Sequence, residues 1–241
     1  MIARKVLLID DDIDFLRLTQ HIFEGAGAQV LVAKDGMEGI SSILSYQPDL
    51  IILDIMMPGK DGFQVCRIIR QITDTPLIML SALDQDQLML QGLGAGADDF
   101  LTKPVSPDIL LAHARAVMRR GEQGNDYRAA YRYDDGRLTI DIEKQHVQIG
   151  GKRIKLTPVE FRLLEYLLSN AGKVLSFEQI LLNVWGSEYQ GSDEYVHVYI
   201  SHLRSKIEED TKSPHYIQSV RGVGYIFEKQ DNANLPYGRN E

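Results

Sequence analysis

Asp10, Asp11, Asp54, Ser81 and Lys103 have side chains suited to phosphoryl chemistry, and each stands at or just beyond the end of a short apolar run. Val6-Leu7-Leu8-Ile9 leads into Asp10-Asp11-Asp12, and Leu50-Ile51-Ile52-Leu53 leads into Asp54. Leu77-Ile78-Met79-Leu80 ends at Ser81, and Asp98-Asp99-Phe100-Leu101-Thr102 ends at Lys103-Pro104. Continuous apolar runs of this length are expected of parallel strands covered on both faces. A doubly wound sheet would bring such strand ends to one crevice, where these folds bind ligands. Three carboxylates converging there repel one another unless a cation joins them, and oxygen-only ligands favour a hard metal such as Mg2+. Lys103 could then neutralise one phosphoryl oxygen and Ser81 donate a hydrogen bond to another, with the transferred group on Asp54. Taken singly, each residue has a plainer reading. The aspartates could be a solvated strand exit, Ser81 could cap the following helix, and Lys103 before Pro104 could be a turn.

The elements that must position these residues follow a β-α alternation. Helices are predicted from Asp14 to about Gly25, with Phe15, Leu18 and Ile22 on the buried face, then over Gly36 to Ser45, Gly62 to Ile72, Asp84 to Gly94 and Pro107 to Arg120. The glycines of Gly92-Leu93-Gly94-Ala95-Gly96 close a helix before a strand, whereas a dinucleotide loop follows a strand and opens a helix. Cys66 is the single cysteine, so no internal disulfide is possible, and its apolar neighbours suggest a core filler.

Residues 1 to 120 thereby resemble the receiver domain of two-component response regulators. The resemblance implies a five-stranded parallel, flavodoxin-like α/β fold with Asp54 as the phosphoacceptor. It implies Mg2+ held by Asp11, Asp54 and the backbone carbonyl of Met56, with Asp10 acting through water. Ser81 and Phe100 would be the switch pair, Lys103 the pocket lysine, and the Lys103-Pro104 peptide cis.

Residues 121 to 131 read as a linker, because Gly121-Glu122-Gln123-Gly124-Asn125-Asp126 is polar and has no periodicity. Beyond it, Leu138 to Ile142, His146 to Ile149 and Arg153 to Leu156 are predicted strands, with Gly150-Gly151 as a hairpin turn. Thr157-Pro158-Val159-Glu160 opens a helix, and Ser176-Phe177-Glu178-Gln179 opens another that ends near Trp185-Gly186. A third helix begins at Asp193 as its expected cap. Val196, Ile200, Leu203 and Ile207 form its buried stripe, while His197, Val198, Ser201, His202 and Ser205 lie opposite. Tyr216 to Val220 and Tyr225 to Phe227 flank Arg221-Gly222-Val223-Gly224 as a hairpin.

Residues 132 to 228 resemble the winged helix-turn-helix effector domain of the OmpR/PhoB family, an α+β fold. The resemblance implies double-stranded DNA as a partner, with the third helix in the major groove and the wing at the minor groove. Val198 would meet a thymine methyl, and Ser201 and His202 would reach base edges, with His197 on the same face. Tyr199, Arg204, Lys206 and Arg221 would take phosphates or, for Arg221, the minor groove. Yet this half carries −3 and the receiver −5 of the net −8 charge, so a modest salt dependence of DNA binding is expected. The tail from 229 to 241 is polar and expected to be disordered.

The family resemblance also implies a sensor histidine kinase as phosphoryl source, a homodimer formed on phosphorylation, and RNA polymerase as a further candidate partner. Its charged dimer surface is matched by Asp98, Asp99 and Arg120, whereas Met89, Leu90, Ile109, His113 and Ala116 replace charged or polar positions. A more apolar dimer interface with weaker dependence on phosphate is therefore expected. No apolar run is long enough to span a membrane, and residues 1 to 5 lead straight into a strand, so a cytoplasmic location is expected. The chain is expected not to be principally an enzyme. A hydrolase with Asp54 as nucleophile would need a general base, and the positions after it are Ile55 and Met56. A constitutive DNA-binding protein with an uncoupled receiver is a second reading, opposed by the intact acidic pair, Ser81 and Lys103.

Overall fold

The computed structural model describes residues 5–57, 61–83, 86–118 and 132–230. They divide into two compact units, built in the main from the described residues up to 118 and from 132 onward.

The first unit alternates strand and helix: β1 (Lys5–Ile9), α1 (Ile13–Gly25), β2 (Gln29–Ala33), α2 (Gly36–Tyr46), β3 (Leu50–Asp54), α3 (Gly62–Ile72), β4 (Leu77–Ser81), α4 (Asp86–Gly94), β5 (Asp99–Thr102) and α5 (Pro107–Met118). All strand pairs are parallel, in the order β2-β1-β3-β4-β5. The order reverses between β1 and β3, so the ends of these two strands open the crevice. Their register, Ile9 opposite Leu53, places Asp10 and Asp54 side by side one residue later. The expectation of an all-parallel sheet with both faces covered is met by β3 and β4, in which every residue is buried.

Helix α1 departs from its predicted face. Leu16, Thr19 and Phe23 are its buried residues, while Leu18 is 59% exposed. The stripe is rotated by one residue, about 100° at 3.6 residues per turn. Asp12 fixes the helix start, since its carboxylate caps the amides of Asp14 and Phe15, and Leu16 and Phe23 then pack into the core beneath.

The second unit contains β6 (Arg132–Asp134), β7 (Leu138–Asp141), β8 (His146–Ile149), β9 (Lys152–Ile154), α6 (Pro158–Ser169), β10 (Leu175–Ser176), α7 (Phe177–Val184), a 3-10 turn at Ser187–Tyr189, α8 (Asp193–Ile207), β11 (Ile217–Val220) and β12 (Gly224–Phe227). Strands β6 to β9 form an antiparallel meander, and β10-β12-β11 form a second antiparallel sheet. Ser176 and Gln179 make the expected capping box of α7. Helix α8 starts at Asp193, but the preceding Ser192 is its cap residue and makes no side-chain cap bond, so Asp193 belongs to the first turn. Val196, Ile200, Leu203 and Ile207 are all buried, as the stripe predicted.

The short β6 and β10 carry too few residues to announce themselves by pattern. Strand β10 is possible because of Gly224. A Cβ there would lie 1.9 Å from the Leu175 carbonyl oxygen, so only glycine lets β12 come this close. The chain also remains tied beyond the expected start of the tail. The Gln230 amide donates to the Tyr133 hydroxyl at 2.9 Å, and the rest of the tail, like the linker, lies outside the described residues.

Candidate functional site

The β1 and β3 ends bring Asp10, Asp11 and Asp54 together, with one carboxylate oxygen of each lying within 4.8 Å of the others. Asp10 and Asp54 are buried and Asp11 is exposed, so the cluster has one wet side. Lys103 reaches in from the end of β5 and donates to Asp10 Oδ2 and Asp54 Oδ1, each at 2.6 Å. Asp54 Oδ2 accepts from the Met56 amide at 2.7 Å, and Asp10 Oδ1 accepts from the Asp12 amide at 2.9 Å. Burial raises the Asp10 carboxyl above the ordinary aspartate range, against the hydrogen bonds from Lys103 and Asp12, and the charge of Asp54 adds to the rise. For Lys103, burial works to lower the ammonium, but the hydrogen bonds and charges of Asp10 and Asp54 outweigh it, and the net direction is upward. The Lys103-Pro104 peptide is cis, as the resemblance implied.

An oxygen-only set of three carboxylates fits a metal ion of the hard class. Asp10 and Asp54 share one ammonium charge between them, while Asp11 has room for a cation on the solvent side. Met56 is exposed at the same mouth.

Ser81 does not meet Asp54 here. Its hydroxyl donates to the Leu83 carbonyl and accepts from the Leu83 amide, both at 3.0 Å, so it closes a local turn ahead of α4, which begins at Asp86, and does not cap that helix. Phe100 packs on the backbone of Gly92 in α4, where a Cβ would come within 2.9 Å of its ring. The sequence reading missed two pocket residues. A Cβ on Gly62 would lie 2.5 Å from the Asp54 carbonyl oxygen and 2.6 Å from Ile55 Cα, so α3 can start against the end of β3 only at a glycine. Phe15 places its ring centroid 4.1 Å from Lys103 Nζ. Its place in an apolar stripe hid that second contact.

In the second unit, α8 is tied to the β11–β12 hairpin by side-chain hydrogen bonds. Ser201 is exposed, Val198 and His202 are half-buried, and Arg221 is exposed at the hairpin turn. His197 Nδ1 lies 2.8 Å from the Tyr225 hydroxyl, which ties the helix to the hairpin. Burial lowers the His202 imidazole below the usual histidine range and favours its neutral form. Three predicted phosphate ligands are occupied by the protein itself. Tyr199 packs on Trp185 with ring centroids 5.2 Å apart. Arg204 donates through Nε and Nη2 to the Ile217 carbonyl, at 2.9 and 2.7 Å. Lys206 pairs with both Glu160 oxygens, at 2.8 and 2.6 Å. Their partners are remote in sequence, so the α8 pattern could not reveal them.

Of the residues assigned to a dimer surface, Leu90 and Ile109 are exposed and Met89 is half-buried. Asp98 is corrected: it is wholly buried, pairs with Arg70 and accepts from the Leu77 amide at 2.9 Å. Asp99 and His113 meet each other within the unit, with Oδ2 to Nδ1 at 2.7 Å. Arg120 lies outside the described residues.

The family model of the response regulator receiver domain matches residues 6–115. That of the C-terminal domain of transcriptional regulatory proteins matches residues 151–227. Over 234 residues the chain is 40% identical to the probable transcriptional regulator ycf27 of Cyanophora paradoxa, covering 95% of this chain and 98% of the relative. The chain belongs to the OmpR/PhoB family of response regulators. A second relative of this regulator is the alkaline phosphatase synthesis transcriptional regulatory protein PhoP of Bacillus subtilis, 38% identical and covering 94% of this chain and 97% of the relative. Among solved structures, a mutant of RitR aligns with a TM-score of 0.73 at 26% identity, covering 94% of the regulator and 100% of that chain. The response regulator thus pairs a receiver with a transcriptional regulatory domain. Among its described residues, no helix is long and apolar enough to cross a membrane.

Proposed function

We propose that this chain is a cytoplasmic transcription factor switched by phosphorylation of Asp54. The observation that carries the reading is the placement of Lys103 Nζ 2.6 Å from both Asp10 and Asp54 at the mouth of the acidic cluster. An Asp54 oxygen attacks the phosphorus of a phosphohistidine on a sensor kinase. The P–O bond forms, the P–N bond breaks, and the imidazole nitrogen keeps the electron pair. Asp10, Asp11, Asp54 and the Met56 carbonyl would hold Mg2+, which neutralises charge on the phosphoryl oxygens when bound. Lys103 is preorganised to meet another of those oxygens, and the Ser81 hydroxyl leaves Leu83 for a third.

Movement of Ser81 and repacking of Phe100 then favour a homodimer over the monomer, a shift between two states of the receiver. Two effector domains in one assembly bind double-stranded DNA more tightly than one. Val198, Ser201 and His202 face base edges, Arg221 serves the wing, and RNA polymerase is the downstream partner. The receiver assists its own phosphotransfer and is otherwise not an enzyme.

The test compares the full chain with Asp54→Ala, with and without acetyl phosphate and Mg2+, for DNA binding and oligomeric state. The reading expects a donor-dependent gain in both, lost in the variant. Tight dimeric binding indifferent to donor and mutation would replace it with the constitutive reading.

A further inference from the structure

The contacts around Lys103 close into a ring. Lys103 donates to Asp10 Oδ2, Asp10 Oδ1 accepts from the Asp12 amide, and Asp12 Oδ1 accepts from the Phe15 amide at 3.1 Å. The Phe15 side chain then returns to the start, with its ring centroid 4.1 Å from the ammonium. That is well inside the roughly 6 Å within which a ring face attracts a cation. The Lys103 side chain is only 17% exposed, so this attraction acts partly out of water.

The placement follows from the rotation of α1. With Leu16, Thr19 and Phe23 supplying the buried stripe, Phe15 is left at the margin of the core, partly buried. An aliphatic side chain could fill that margin. The ring face adds a third attraction on the cation beside its two hydrogen bonds to Asp10 and Asp54.

We propose that Phe15 is a positioning residue for phosphoryl transfer, its ring holding the Lys103 ammonium between Asp10 and Asp54 at the pocket mouth. Phe15 touches none of the reacting atoms and acts through Lys103. The proposal rests on the reading of Asp54 as phosphoacceptor. As the Asp54 oxygen attacks a donor, the ammonium already stands where charge develops on the transferred group, and less reorganisation is needed.

The test uses the full chain with acetyl phosphate and Mg2+, in wild type, Phe15→Leu, Phe15→Tyr and Asp54→Ala. In this reaction the Asp54 oxygen bonds to phosphorus, the P–O bond to the acetyl group breaks, and acetate leaves with the electron pair. Phosphate-affinity electrophoresis should show Phe15→Leu slower by about two- to thirtyfold and Phe15→Tyr close to wild type. Independently, 13C-lysine NMR of the unphosphorylated chain should show the Lys103 ε-protons moved upfield by the ring. That shift is lost in Phe15→Leu and kept in Phe15→Tyr, with Lys103→Arg identifying the signal. Equal rates for wild type and Phe15→Leu, or no ring shift in wild type, would overturn the proposal while leaving Asp54 in place. A wild type that takes up no phosphoryl group, or an Asp54→Ala chain that takes it up equally, overturns the phosphoacceptor reading itself. Should Phe15→Leu fail to fold, the wild-type and Phe15→Tyr ring shifts still decide.

Discussion

Arg204 grips the carbonyl oxygen of Ile217 through Nε and Nη2 at once, and the same Nη2 donates to Ser219 Oγ at 3.0 Å. Its guanidinium carbon lies 5.5 Å from the Tyr225 ring centroid. A cation on a predicted recognition helix is therefore spent on holding that helix to the hairpin. Arg204→Gln is expected to weaken binding to a fluorescent DNA duplex about tenfold, with an unchanged slope of log affinity against log salt. Arg221→Ala, which removes an exposed cation at the hairpin turn, should reduce the slope by about one. A lower slope for Arg204→Gln would return Arg204 to the phosphate ligands. Because the lost hydrogen bonds involve a charged donor, Arg204→Gln should also destabilise its unit by about 1–3 kcal/mol in urea unfolding.

Metal binding at the acidic cluster should appear as folding stability. For a dissociation constant near 1 mM, 10 mM Mg2+ adds about 1.4 kcal/mol to the unfolding free energy of the receiver. Differential scanning calorimetry should show its thermal midpoint rising with Mg2+ in wild type and standing still in Asp11→Ala. Asp11 is the informative choice because it is exposed and forms no hydrogen bond with Lys103. Its removal leaves the Lys103 bridge intact, and a midpoint that still rises would place the ion elsewhere.

The strand ends were legible because parallel strands advertise themselves as apolar runs, and the residue that breaks each run stands at the sheet's lip. Asp10, Asp54 and Lys103 were found in that way, and so was the α8 stripe, whose spacing is local. Contacts made across the fold were not legible. Asp98 looks like a charge on a dimer surface until Arg70, 28 residues away, is brought beside it. Tyr199 looks solvent-facing until Trp185 meets it edge to face. The face of α1 was misjudged by one residue because Phe15, Leu18 and Ile22 make as good a periodic stripe as Leu16, Thr19 and Phe23. Only the Asp12 cap and the sheet beneath decide between them.

Cys66 is fully buried, and that burial pushes its thiol up to about 11. The unfolded thiol ionises near 9.0, so the folded state holds its proton over a window in which the unfolded state has lost it. Stability is then fully present below pH 9 and falls as pH rises towards 11, by up to about 1.4 kcal/mol per pH unit from this group. Cys66→Ala should flatten that part of the pH dependence in urea titrations. At pH 8, iodoacetamide should leave the native thiol unmodified and alkylate it readily in guanidinium chloride.

Leu90 and Ile109 expose 42% and 50% of their surface on α4 and α5. Single exposed apolar residues are ordinary on a protein surface, but two on the helices that both contact the edge strand β5 suit a self-association surface. The double variant Leu90→Glu/Ile109→Glu is expected to remain monomeric in sedimentation at micromolar concentration, with and without acetyl phosphate. It should take up the phosphoryl group at the wild-type rate, because neither residue touches the acidic cluster. A dimer that persists in the double variant would move the interface to another face.

Gly62 offers the sharpest steric test of the pocket. The Cβ of Gly62→Ala would meet Asp54 O at 2.5 Å and Ile55 Cα at 2.6 Å, and both are backbone atoms that no rotamer change can move aside. Either α3 retreats from the sheet or the turn after Asp54 shifts outward. The first loses packing around Phe63 and Cys66, which are both buried, and overpacking of this kind destabilises by about 1–3 kcal/mol. The second displaces the Met56 amide that donates to Asp54 Oδ2 and opens the acidic cluster. Either route should lower the receiver's thermal midpoint, and only the second should also slow phosphorylation by acetyl phosphate in chains still folded at 25 °C. Measuring both on Gly62→Ala shows which of the two yields. A variant as stable and as reactive as wild type would mean that α3 does not start against the end of β3.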